Sequence, residues 1–377
     1  MTKQDVTITL PSTRRNSAPG LTGWGQRLRE SLAADPELEA RFDAVRRFSA
    51  GIRSSEYHLT NACNLRCKGC WFFTYEFEKS TKEKTGLDDL RAFVRAEVAR
   101  GVNTALLIGG EPTLVLDRIA VYRDAMPYVT ISTNGLKPLP LEGFENLTVA
   151  ISLFGGGPLD DELRAIRPGG RRFTDLFETA LENYRDDPRA GYIYALTEKG
   201  IDYIEDTVRR IRAHGNRVHF NFYSSYDTGD PLYAERTREL LAEALRVRAA
   251  YPETVISHPY SIEVMITGRS HWGEFGYDVC PSISSGLPAH HDRVQNGNPV
   301  LPKFTTWAAD LETVQFCCTS GHCGSCRDSQ AVFSWLMVSP HRFADSPELL
   351  WTWVELAESY WSQFSWSPFH PARAGHR

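Results

Sequence analysis

The sequence predicts an α/β fold with a mainly parallel sheet and a small cysteine-rich C-terminal domain, and three observations carry that reading. Six strand-like apolar runs recur from residue 54 to residue 223, each separated from the next by a longer segment, most of them of helical period. Strands alternating with helices favour parallel pairing, because a parallel connection needs a crossover and an antiparallel one does not. The eight cysteines are segregated, with three at 63–70 and five at 280–326. Such segregation predicts two metal sites in two parts of the chain.

In order, residues 1–53 read as a leader that is loose over its first twenty residues and helical over Gln26–Ala34 and Pro36–Phe48. Strands are expected at 56–60, 103–108, 128–133, 147–153, 191–196 and 217–223. Helices are expected at 86–100, 115–125, 174–186 and 201–214. The second division, 54–225, holds this alternation. The third, 226–377, opens with a helical segment near 232–250 and continues through a Gly/Pro-rich stretch, 255–304. A strand-like run, 314–317, follows, and the chain ends in aromatic-rich helices at 332–337 and 348–364. Trp351, Trp353, Trp361 and Trp366 of that end either line a pocket or pack the second domain, and packing is the favoured reading.

Bulk properties narrow the function. The chain has 377 residues, 42% of them hydrophobic, and a net charge of −5. It shows no long basic run, which argues against a nucleic-acid groove, and no apolar window of about eighteen residues, which argues against a membrane span. The polar N-terminus lacks the apolar core of a signal peptide, so a cytoplasmic protein is expected. Cysteines in that compartment are read as metal ligands or reactive thiols before disulfides.

The first cysteine group stands in Thr60-Asn61-Ala62-Cys63-Asn64-Leu65-Arg66-Cys67-Lys68-Gly69-Cys70, with spacing C-x3-C-x2-C, just after a strand. Three thiolates can hold three irons of a [4Fe–4S] cluster and leave the fourth open to a ligand. A zinc knot with His58 as fourth ligand is the alternative. The run resembles the signature of the radical S-adenosylmethionine enzymes. A second motif agrees with that resemblance: the β-branched run 103–108 is followed at once by Gly109-Gly110-Glu111-Pro112. In the family a turn of this kind binds the amino group of S-adenosylmethionine, and glycines allow the close backbone approach it needs. The resemblance implies a partial (β/α)6 TIM-like barrel over 54–225. It also implies reductive cleavage of S-adenosylmethionine to a 5′-deoxyadenosyl radical, with flavodoxin or ferredoxin as electron donor.

The same resemblance assigns further residues. Ser132, Asn134 and Ser152 occupy positions that contact the carboxylate or ribose of S-adenosylmethionine in relatives. The aromatic residue that relatives carry before the third cysteine is Gly69 here, which leaves Trp71 or Phe72 as its replacement over the adenine. The stretch 160–170 resembles an acidic-then-Arg-Gly segment of the family. Arg167, Arg171 and Arg172 are either a carboxylate or phosphate clamp or a solvated loop. Asn221 and Tyr223 alternate and so share a face.

The late cysteines resemble a twitch or SPASM extension with one auxiliary [4Fe–4S] cluster, structural zinc being the alternative. Cys280, Cys318, Cys323 and Cys326 are the expected ligands, and Cys317 is the spare thiol. Cys317 is either an inert buried residue or a hydrogen-atom donor to a substrate radical. The implied function is hydrogen abstraction from a small polar metabolite of sugar, aminocyclitol or nucleoside type, ending in dehydrogenation, epimerisation, dehydration or decarboxylation. Peptide modification, as in maturases of ribosomal natural products, is the alternative. A non-enzymatic iron–sulfur or zinc protein is the third reading, and it does not account for Gly109-Gly110-Glu111-Pro112.

Overall fold

The computed structural model of the protein describes residues 23–74, 76–223, 235–274, 305–314 and 327–376. Six strands run parallel and pair in chain order: β1 (Ser54–His58), β2 (Thr104–Ile108), β3 (Tyr128–Thr133), β4 (Thr148–Phe154), β5 (Ala190–Ala195) and β6 (Arg217–Asn221). A short hairpin, β7 (Arg269–Ser270) and β8 (Gly273–Glu274), stands apart. The two-residue strand β9 (Thr306–Trp307) pairs in parallel with the outer edge of β1, giving the order β6-β5-β4-β3-β2-β1-β9. The expected alternation is therefore present. The edge strand β9 was not expected, because two residues show no period to read.

The helices are α1 (Trp24–Ala34), α2 (Pro36–Gly51), α3 (Trp71–Thr74), α4 (Phe77–Ser80), α5 (Leu87–Ala99), α6 (Leu116–Ala125), α7 (Pro158–Arg164), α8 (Leu176–Asn183), α9 (Ile204–Ala213), α10 (Thr237–Ala250), α11 (Pro259–Thr267), α12 (Ser329–Met337), α13 (Pro340–Phe343) and α14 (Pro347–Ser362). Local chemistry explains several starts. Asp35 accepts hydrogen bonds from the amides of Glu37 and Leu38, with Pro36 in the first turn of α2. Ser346 does the same for Leu349 ahead of Pro347 in α14. In α9, Glu205 and Asp206 open the helix and Arg210 and Arg212 close it, matching the sign of the helix dipole.

Register decides which side chains share a face. Tyr57 of β1 packs on Phe93 of α5 and Tyr122 of α6, so odd-numbered β1 positions meet the helices. Glu56 and His58 lie on the opposite, inner face. The parallel pairings carry that face across the sheet, from Glu56 through Leu106 and Thr130 to Thr148 and, one step further along β4, from Ala150 through Gly191 to Arg217. Ser132, Ser152, Ile193, His219 and Asn221 continue it toward the C-terminal ends of the strands.

One apolar core joins Leu38, Phe42 and Val45 of α2, the helix-facing strand residues, and Leu350, Trp353, Val354 and Ala357 of α14. The tryptophans pack as expected, with their indole N–H groups satisfied. Trp351 donates to Asp35, Trp353 to the Leu336 carbonyl, Trp361 to Ser49 and Trp366 to Thr130. The loose first twenty residues and Cys280, Cys317, Cys318, Cys323 and Cys326, with the auxiliary site expected there, lie outside the described residues.

Candidate functional site

The cysteine loop leaves the C-terminal end of β1 and is held on two sides. On one side lies the Gly109–Pro112 turn at the end of β2. The Gly110 amide donates to the Thr60 carbonyl at 2.8 Å, and the Glu111 amide to that of Ala62 at 2.9 Å. The approach is so close that a Cβ on Gly110 would stand 1.9 Å from the Ala62 oxygen, while Gly109 has φ +110°. Both positions therefore require glycine. On the other side, the Arg66 and Lys68 amides donate to the carbonyls of Ile166 and Leu163, both at 2.7 Å. Leu65 anchors the loop in a small apolar cluster with Ala165 and Leu176. Its base is tied by Glu83, which accepts from Thr60 Oγ1 and the Asn61 amide and pairs with Arg118.

Cys63, Cys67 and Cys70 are free and half-buried. Burial pushes all three thiols up, Cys63 to about 12, and each of the three also feels a neighbouring thiol of the set or a nearby acidic side chain. The Leu65 amide points at Cys63 Sγ from 3.4 Å, and Arg164 draws the Cys67 thiol back down against burial. Among the described residues, no set of three or more His, Cys, Asp or Glu side chains converges to hold a single metal ion. His58 does not join the thiols. It is 2% exposed, its ring lies 5.3 Å from Trp71 and 5.4 Å from Phe72, and burial lowers it to about 3, so it is neutral. The donor set, three thiols and an inward amide on one loop, fits a [4Fe–4S] cluster with an open iron better than a zinc knot.

The turn carboxylate has a different setting from the one the sequence suggests. Glu111 is 1% exposed. Its Oε1 accepts from the Thr113 amide (3.0 Å), Thr113 Oγ1 (2.8 Å) and Thr133 Oγ1 (2.7 Å), and its Oε2 from the Asn134 amide (2.9 Å). Burial pushes the carboxyl up and these bonds pull it back. Glu111 thus ties the end of β2 to the end of β3.

Asn134 links β3 to the cysteine loop, its Nδ2 donating to Asn64 Oδ1 at 2.7 Å. Ser132 and Ser152 are half-buried on the inner face. A buried ion pair sits beside them. Arg164 Nη1 donates to Asp160 Oδ1 (2.9 Å) and to the Ser152 carbonyl (2.5 Å), and Nη2 to the Asn134 carbonyl (3.3 Å). Burial opposes the Arg164 charge, but Asp160 and Cys67 outweigh it and hold the guanidinium above its ordinary value. Sequence reading looked to Arg167, Arg171 and Arg172 instead. Arg167 stacks on Phe173 at 4.4 Å, and Arg171 and Arg172 are exposed. The i, i+4 spacing of Asp160 and Arg164 was the available signal, and it reads equally as a surface pair.

The inner face also carries polar groups toward the cysteine end. Asn221 is 6% exposed with its Oδ1 unpartnered, and Tyr223 stacks on Phe154 at 5.4 Å and 15°. Glu56, which sequence reading missed, is 8% exposed. Burial first, then the charge of Asp328, raise it to about 7, against a hydrogen bond from Thr306. Its only signal was a charged residue inside a strand.

Comparison with known proteins agrees with this geometry. Residues 57–223 match the Radical SAM superfamily. A GTP 3′,8-cyclase of Alkaliphilus oremlandii is 25% identical over 178 residues, 41% of this chain and 56% of that protein. One from Actinobacillus succinogenes is 31% identical over 100 residues, 25% of this chain and 29% of that protein. The chain thus spans about half the length, or less, of these curated relatives. Among solved structures, native anSMEcpe with bound AdoMet aligns at TM-score 0.43 and 15% identity, over 62% of this chain and 71% of that one. The FeFe-hydrogenase maturase HydG from Carboxydothermus hydrogenoformans aligns at 0.36 and 14%, over 94% and 91%. The cysteine loop and the Gly109–Pro112 turn both lie inside the matched span, so residues 57–223 carry the Radical SAM superfamily core.

Proposed function

We propose that this enzyme cleaves S-adenosylmethionine reductively at a [4Fe–4S] cluster held by Cys63, Cys67 and Cys70, within a partial (β/α)6 barrel. The observation that carries the reading is the seating of the cysteine loop against Gly110, closer than any side chain allows. When bound, the cluster supplies one electron, from a flavodoxin- or ferredoxin-type donor, that breaks the sulfonium and yields the 5′-deoxyadenosyl radical. The chain's own residues bind and orient. The Gly109 and Gly110 carbonyls face the cofactor ammonium. Ser132, Asn134 and Ser152 take the carboxylate and ribose, and Trp71 or Phe72 packs on the adenine. Arg164, clamped by Asp160, fixes the ends of β3 and β4 around them. An auxiliary cluster on Cys280, Cys318, Cys323 and Cys326 is part of the same proposal, with Cys317 as the spare thiol.

The substrate proposal has two arms. One is a peptide, modified as in maturases of ribosomal natural products. The other is a small polar metabolite of sugar, aminocyclitol or nucleoside type, and the curated relatives are named for a reaction of a nucleotide. In either arm Glu56, Asn221 and Tyr223 on the inner face meet the substrate. The test is anaerobic incubation of reconstituted protein with S-adenosylmethionine and dithionite, reading 5′-deoxyadenosine. Nucleotides, aminosugars and synthetic peptides are added in turn, and the class that raises release above the substrate-free rate identifies the arm. No 5′-deoxyadenosine under any condition overturns the proposal.

A further inference from the structure

A second polar site lies at the opposite end of the sheet. A cavity of about 240 Å³ opens where β3 to β6 begin, lined on its inner-face side by Thr130, Ala150, Gly191, Arg217 and His219. Its floor is the last residue of α14, Ser362, and the segment that follows, including Gln363 and His370. A single water needs only ~10–15 Å³, so the space is far larger than one solvent molecule requires. It sits at the N-terminal ends of the strands, whereas the cysteine loop and the Gly109–Pro112 turn sit at the C-terminal ends.

Arg217 is the feature that this cavity leaves unexplained. Its Nη2 reaches the carbonyl and hydroxyl of Ser362 only at 3.2 and 3.4 Å. Its Nε and Nη1 are shielded from solvent and have no acceptor. A buried guanidinium without an anion is costly, and proteins normally answer it with a carboxylate or phosphate. Among the described residues that line the cavity, the one carboxylate is already engaged. Asp187, the carboxylate on the cavity wall, is bound by Arg189 through both oxygens. Arg189 spends its other donors on the carbonyls of Leu139, Pro140 and Phe144. Arg373 adds positive charge toward the same end, and burial, helped by Arg217 and Arg373, keeps His370 neutral, near 4. Burial depresses the Arg217 guanidinium to about 10, outweighing a Coulombic attraction to Glu253.

We infer that this cavity is an anion-binding site for a small oxyanion, a phosphate or a carboxylate, received by the Arg217 guanidinium. The site is separate from the radical chemistry and rests on none of it. An anion there joins the starts of β5 and β6 to the chain that follows α14, so its occupancy stabilises the closed floor of the sheet.

The experiment uses the anaerobically purified, cluster-loaded protein and reads its melting temperature at constant ionic strength. Chloride is replaced stepwise by phosphate in one series and by acetate in another. A saturable rise with phosphate alone assigns an inorganic oxyanion, and a rise with acetate assigns a carboxylate. The rise should vanish in Arg217→Gln. A second variant guards against misfolding of the first. Gly191 lines the cavity with ordinary φ, and the atom nearest to an added Cβ is the Arg217 carbonyl oxygen at 3.9 Å. Gly191→Val therefore fills space without removing the guanidinium, and it too should abolish the response. A response that persists in both variants places the anion elsewhere and overturns the inference. No response in the native protein overturns it as well, since the cavity then holds only water.

Discussion

Replacing Glu111 separates two roles that the turn sequence alone leaves merged. The structure gives its carboxylate four donors, three on Oε1 and one on Oε2. In Glu111→Gln the amide oxygen keeps the three bonds of Oε1, and the new NH₂ group faces the Asn134 amide, donor against donor. One charge-assisted bond is lost and one buried N–H is left unpaired, a cost of about 2–3 kcal/mol. In Glu111→Ala all four donors lose their acceptor. The two threonine hydroxyls can rotate, but the Thr113 and Asn134 amides cannot, so the cost rises to about 4–5 kcal/mol, at the upper end for single substitutions. Urea unfolding of the cluster-loaded protein measures both, with iron content and S-adenosylmethionine affinity followed in parallel. The expected order of stability is native, then Gln, then Ala, with cofactor affinity falling as the turn loosens. If both variants unfold like the native protein and only cofactor affinity drops, Glu111 serves the cofactor directly and the reasoning is refuted.

The Cys63/Cys67/Cys70→Ala triple variant should lose about four irons per chain and all 5′-deoxyadenosine release, and iron analysis against activity checks it. If the auxiliary cluster is present, about four irons should remain. Cys318→Ala should lose that remaining iron, whereas Cys317→Ala should keep it and, if the thiol donates hydrogen, cleave S-adenosylmethionine while forming little product. Glu56 gives a pH signature. Its folded value near 7 exceeds the ordinary 4.5, so between these values the folded state binds more protons than the unfolded one. Stability from this group is full below 4.5 and falls as pH rises through 7, by about 3 kcal/mol in all. Glu56→Gln should flatten that fall, measured as unfolding free energy from pH 4.5 to 8.

The parts of the fold that were legible in the sequence are those with a period. Strands β2 to β6 and helices α5, α6, α9 and α14 follow runs long enough to show alternation or a helical stripe. Helices α3, α4 and α7 are four to seven residues long and show neither. The cysteine loop was legible because its residues carry rare chemistry at fixed spacing. The role of Glu111 was not, since its four donors come from Thr113, Thr133 and Asn134, and register, not spacing, brings β3 beside β2. Glu56 and Arg217 were hidden for the same reason. Each is one charged residue in a short strand, and only the packing of Tyr57 on α5 and α6, carried by register from β1 to β6, shows which face it lies on.

The edge pairing of β1 with β9 bears on how the chain reaches this state. Neighbouring strands from β1 to β6 pair with the next one made, so that part of the sheet can assemble as it leaves the ribosome. The outer edge of β1 cannot. It waits for Thr306 and Trp307, and the apolar stripe of α2 waits for Trp353 and its neighbours. At about 5–20 residues per second, the interval is on the order of 15–60 s. Throughout it a strand edge and a helix stripe near the start of the chain are open to other chains. Shortened forms that end after β6 should therefore aggregate through their first strand, however complete their cysteine loop.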